Sequence, residues 1–149
     1  MFELKTFLIA MSPIVELRGS IPIALEIYHL PLWSAYVFSV LGNMIPVLLL
    51  PVLEVVDGKL SSRFSFLKRL LSWLFLRTRK RHERSFELFR DFALVLFVAV
   101  PLPLTGVWSA TLVSFVFGIP LRRAFPCILL GVIIAAAIVS LITLGITSI

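Results

Sequence analysis

The chain is a run of long apolar stretches broken at a few points by proline, glycine and isolated charges. Residues 6–30, 32–56, 92–119 and 121–148 are each apolar over most of their length, and stretches of that length are what entering or crossing a bilayer requires. The first is interrupted near Arg18-Gly19-Ser20-Ile21-Pro22 and the third at Pro101-Leu102-Pro103-Leu104-Thr105-Gly106. Such breaks free backbone groups that lipid cannot satisfy, so they are expected to be enclosed by protein or water. The second and fourth stretches read as continuous helices, with Pro46 and Pro51 predicting a kink in the second.

Between the second and third stretches the pattern changes. Leu60, Phe64, Leu67, Leu70, Leu71, Leu74 and Phe75 recur at helical spacing with Lys59, Arg63, Lys68 and Arg69 between them, which predicts an amphipathic helix on a membrane surface. Trp73 suits the headgroup level of that helix. A polybasic turn follows at Arg77-Thr78-Arg79-Lys80-Arg81, and Glu83, Glu87 and Asp91 then alternate with Arg84 and Arg90 on a second short helix. Residues 57–91 are thus expected to link two membrane-embedded halves.

Composition fixes the class. Of 149 residues 60% are hydrophobic, and the mean hydropathy of +1.07 belongs to an integral membrane protein. The first residues lack a basic n-region and a small-residue cleavage site, so the apolar stretches are expected to be the protein itself rather than a leader. Net charge is +6, with ten basic residues between Lys59 and Arg90 against only Glu83 and Glu87. That bias predicts a cytoplasmic linker drawn to anionic lipids of the plasma membrane. No nucleic-acid-binding motif accompanies the basic run, so no nucleic-acid partner is expected. Cys127 stands alone, and His29 and His82 are far apart without carboxylates at ligand spacing, so no metal site and no cofactor are predicted. Without Gly-x-Ser-x-Gly, His-Glu-x-x-His or a hydrolytic carboxylate pair, the chain does not read as an enzyme.

The two halves match. Pro31-Leu32-Trp33-Ser34-Ala35-Tyr36 and Gly42 align with Pro120-Leu121-Arg122-Arg123-Ala124-Phe125 and Gly131 at a constant offset of 89, and Gly19 aligns with Gly106 at 87. Each half is a broken stretch, a Pro-Leu turn and a continuous span. Arg122 and Arg123 decide how the broken stretch runs: if residues 92–119 crossed the membrane, this pair would face away from the basic linker, against the positive-inside bias. The predicted fold is therefore an all-α integral membrane protein. It is an inverted repeat of two units, each a re-entrant helical hairpin plus a transmembrane helix, joined by the linker, with both termini outside. Broken helices facing one another at the midplane are the architecture of secondary transporters. Four embedded stretches enclose little volume, which points to a homodimer.

Glu16-Leu17-Arg18-Gly19-Ser20-Ile21-Pro22 and Pro101-Leu102-Pro103-Leu104-Thr105-Gly106-Val107-Trp108-Ser109 together resemble the small multidrug export protein family, which is similar in turn to the DedA superfamily of membrane proteins with two opposed re-entrant hairpins. The resemblance implies a small transporter moving an amphiphilic or anionic substrate, a lipid or a drug. DedA-like proteins typically carry a further arginine in the second hairpin region; here Thr105 stands there without a basic residue.

A carboxylate and a guanidinium inside an apolar stretch are costly, which makes Glu16 and Arg18 the leading functional candidates. Three readings compete. The pair neutralises itself or the freed backbone; or Arg18, helped by amides after Gly19, holds a phosphate or carboxylate; or Glu16 loads and releases a proton. Gly19, Ser20 and Pro22 are expected to shape the first tip, and Pro101, Pro103, Thr105, Gly106, Trp108 and Ser109 the second. Asn43, next to Gly42, is a candidate for bonding the first hairpin or for polar packing between helices. The competing class is a non-transporting scaffold that binds lipid through its basic linker.

Overall fold

A computed structural model describes residues 1–53, 55, 69, 73, 83–102 and 105–148, and every regular element among them is helical. Helix α1 runs over Phe2–Met11 and α2 over Glu16–Pro22. A π-turn, Ile23–Ile27, continues α2 where Pro22 withdraws a backbone donor. Helix α3, Leu32–Met44, tightens into a 3-10 turn at Ile45–Leu49 around Pro46, and the helical stretch as a whole, Leu32–Leu53, is long and apolar enough to cross a membrane. Helices α4, Glu83–Ala99, and α5, Val107–Val116, precede α6, Leu121–Thr147, the second helix of crossing length.

The break in the first stretch differs from the expected one. The chain turns at residues 12–15, before Glu16, and passes through Gly19 as regular helix. Ser12 and Pro13 make the turn, with the Ile14 amide donating to Ser12 Oγ at 3.4 Å. Gly19 serves packing, because a Cβ there would strike the Val15 side chain. The second boundary also moves: α4 is one helix from Glu83 to Ala99, so the linker's second helix and the first arm of the third stretch are continuous. Pro103, Glu54, Asp57 and nearly all of the amphipathic segment of residues 57–82 lie outside the described residues.

The long helices carry the packing. α1 lies on α3, α4 on α6, and α3 on α6. Gly42 permits the first approach, since a Cβ there would overlap the Phe7 carbonyl, and Gly131 permits the second, where a Cβ would stand 2.7 Å from Val98 Cβ and 2.8 Å from the Val95 carbonyl. These two glycines occupy the same position of α3 and α6, and Pro31 and Pro120 both precede their helices in extended conformation. Gly19 and Gly106 are not alike: one is inside α2, the other is the residue before α5.

Each broken stretch has its two ends together. The rings of Phe2 and Tyr28 stack with centroids 5.0 Å apart, and Arg123 at the start of α6 pairs with Glu87 near the start of α4 at 2.8 Å. At the far end of α6, Thr147 donates to Glu26 at 3.3 Å, so α6 runs antiparallel to α3. Tyr36 Oη pins the two spans by donating to the Ile133 carbonyl at 2.7 Å. The interior is apolar, with Ile21, Leu50, Val107, Ile119, Ile128 and Val132 fully enclosed, while Leu41, Leu48, Leu130, Ile133, Leu141 and Ile146 cover the exterior. An apolar outside on spans of this length is a lipid-facing surface, and the protein is of the membrane type.

Candidate functional site

The site forms where the two breaks meet. Glu16 opens α2 with φ +51°, a left-handed conformation that a glutamate adopts only at a cost of about 1–2 kcal/mol. That backbone turns its side chain across the molecule to the start of α5. There Gly106 has no side chain, and the Glu16 carboxylate fills the space a Cβ would take. The backbone amide of Trp108, in the first turn of α5, lies beside the same carboxylate. Glu16 thus places its charge at the start of a helix 90 residues away in sequence, the end whose dipole favours negative charge.

Arg18 completes the electrostatics. Its Nη2 lies 3.4 Å from Glu16 Oε2, with the Glu16 side chain enclosed and the Arg18 side chain about one quarter exposed. Two residues apart on one helix would point them to different faces. The left-handed turn at Glu16 removes that obstacle, so the unwinding occurs at the carboxylate itself and not at Gly19 or Pro22. A second bond joins the breaks from the opposite direction: Trp108 Nε1 donates to the Met11 carbonyl at 3.1 Å, satisfying an acceptor at the end of α1.

Glu16, Arg18, Asn43, Pro101, Gly106 and Ala135 face a cavity of about 10 Å³. That is room for roughly one water molecule and no substrate. A larger space, a groove of about 400 Å³, lies between α4 and α5 and is lined by Phe89, Arg90, Ala93, Phe97, Val113 and Ile119.

The remaining predicted residues divide by role. Ser20 Oγ donates to Ser39 Oγ at 2.7 Å inside the protein and fastens α2 to α3. Thr105 is consumed by its own turn: its hydroxyl accepts from the Leu102 amide at 3.2 Å and lies 2.8 Å from the carbonyls of Val100 and Leu102. Ser109 sits half-buried in the first turn of α5, and neither it nor Thr105 lines the small cavity. Pro22 ends α2, Gly19 accommodates Val15, and Pro103 is outside the described residues. The residues that meet are therefore Glu16, Arg18, Pro101, Gly106 and Trp108. Pro13 and Ser39 were not predicted, although Ser12-Pro13 is a turn signal. Asn43 belongs to the site rather than to helix packing alone; its signal was a side-chain amide inside an apolar span.

A family model described as "Putative small multi-drug export protein" matches residues 16–138, which takes in both halves of this site. No curated protein and no solved structure matches the chain.

Proposed function

Because the chain belongs to the small multi-drug export protein family, we propose that it is a small secondary transporter in which Glu16 carries a proton and Arg18 holds the anionic group of an amphiphilic substrate. The observation that carries this reading is the position of the Glu16 carboxylate, shared between Arg18 and the start of α5. Both are binding groups for an anion. While Glu16 is ionised it occupies them itself. When Glu16 takes up a proton its claim on both weakens, and an external carboxylate or phosphate can replace it. Proton loading and anion binding then favour each other, which is the coupling a carrier needs.

The membrane arrangement is part of the proposal. Each broken stretch is a re-entrant hairpin and the two units are inverted; the contacts Phe2 to Tyr28 and Glu87 to Arg123 support this, since they bring the two ends of each stretch together. Helices α1 and α5, ten residues each, are about 15 Å long, half of a hydrocarbon core. The linker then faces the cytoplasm at the plasma membrane, where its basic residues meet anionic lipid, and both termini lie outside. The one-water cavity at the tips supports a homodimer that opens to load, because the space beside Glu16 and Arg18 in one closed protomer is too small for a substrate. The DedA resemblance and the apolar groove beside Arg90 favour a lipid-like substrate with an acidic head.

The test is reconstitution. Purified protein in vesicles, with and without an imposed pH gradient, is offered a fluorescent acidic lipid analogue and a cationic dye. Gradient-dependent movement of the acidic analogue supports the reading; movement of the cation alone refutes the substrate class. No movement of either favours a scaffold.

A further inference from the structure

Asn43 is the only asparagine in the chain, there is no glutamine, and this one side-chain amide stands in the middle of an apolar span. It is 1% exposed. Its Oδ1 is sealed from solvent and has no hydrogen-bond partner among the described residues, a costly state for a buried acceptor. Asn43 lines the same small cavity as Glu16 and Arg18. An ionised carboxylate and an amide oxygen are both acceptors, so only a donor between them satisfies both. The cavity of about 10 Å³ has room for one water, which would donate to both acceptors and accept from the Arg18 guanidinium. A metal cation is a poor alternative there, because Arg18 stands 3.4 Å from the same carboxylate.

Resting on the proton-carrier reading of Glu16, we infer that Asn43 is its proton-side partner: the protonated Glu16 carboxyl group donates to one bound water, and that water donates to the Asn43 amide oxygen. In the ionised state Glu16 lies against the start of α5 on one side and pairs with Arg18 on the other. In the neutral state it becomes a donor to that water, whose own hydrogens no longer serve the carboxylate and are left for the orphan acceptor on α3. Asn43 is a positioning residue in this scheme; the proton resides on Glu16. Among the described residues Glu16 and Arg18 are the cavity's ionisable members: α4, α5 and α6 present Val98, Val107 and Ala135 to it, and Leu17, Pro101 and Gly106 complete its walls. A change at Asn43 with pH therefore reports Glu16.

The single asparagine makes the test specific in the unmutated protein. The full chain is made with carbon-13 in the asparagine side-chain carbonyl, placed in lipid nanodiscs, and followed by infrared difference spectroscopy across a pH titration in light and heavy water. The Glu16 carboxyl band is identified by its loss in Glu16→Gln. The inference predicts that the labelled amide band shifts with the same midpoint as the Glu16 band, that the shift vanishes in Glu16→Gln, and that Asn43→Val moves the Glu16 midpoint to lower pH. If Glu16 titrates while the labelled amide stays still, Asn43 is not the partner and only this inference falls. If Glu16 stays ionised throughout, the proton-carrier reading falls and takes this inference with it.

Discussion

The carboxylate of Glu16 lies in the space that a side chain on Gly106 would fill. A backbone contact of this closeness ties two chain breaks into one unit, and it makes Gly106 a residue defined by its partner. Gly106→Ala is expected to push the carboxylate off α5 and lower stability by about 1–3 kcal/mol. Combining it with Glu16→Ala is expected to cost less than the two changes summed, because the collision disappears with the carboxylate. Unfolding of the four proteins in a denaturing detergent titration measures the coupling.

Trp108 holds the second link. Its Nε1 is the donor to the Met11 carbonyl, so Trp108→Phe keeps most of the apolar volume and loses the bond. The expected loss is about 1 kcal/mol, the usual net worth of a buried hydrogen bond. The same unfolding measurement checks it.

The helix approaches give a graded series. Gly42→Ala and Gly131→Ala introduce a methyl group against the Phe7 carbonyl and against Val95 and Val98, and each is expected to destabilise by about 1–3 kcal/mol through overpacking. Gly145 also lies in α6, with open space where its Cβ would be. Gly145→Ala is expected to be neutral or to stabilise by up to about 1 kcal/mol from helix propensity. Thermal aggregation midpoints rank the three variants.

Topology has a labelling test. In a Cys127→Ala background, single cysteines at Ser61 and Arg122 are expected to react with an impermeant maleimide from one membrane face, and a cysteine at Ser148 from the other. Labelling of Ser61 and Arg122 from opposite faces contradicts the paired ends of the third stretch.

Much of this was legible in the chain because the relevant signals are local. A charge inside an apolar stretch is expensive wherever it folds, so Glu16 and Arg18 announced themselves. The Pro-Leu turns and Gly42 and Gly131 were visible as a repeat, and all four take equivalent places in α3 and α6. The break at residues 12–15 was misplaced because Pro13 and the Gly19/Pro22 pair are all helix breakers, and propensity alone does not choose between them. In the structure Gly19 is used for side-chain room and Pro22 is absorbed by a π-turn. Thr105 was legible as a residue of the second tip; a turn next to prolines needs its own acceptor and donor, and Thr105 supplies both. The contact between Glu16 and Gly106 has no sequence signature, since no periodicity connects residues 90 apart. Nor does Asn43 reveal by spacing that it faces them.

The central claim is that Glu16 links proton uptake to substrate movement at the meeting point of the two breaks. Vesicles containing wild-type protein or Glu16→Gln, matched for folded protein, are compared for two quantities: accumulation of an acidic lipid analogue driven by a pH gradient, and its exchange between leaflets without a gradient. The account predicts that Glu16→Gln loses gradient-driven accumulation at least tenfold while exchange persists, because the neutral side chain leaves Arg18 open to the anion but carries no proton. Gradient-driven accumulation that survives unchanged in Glu16→Gln would contradict it.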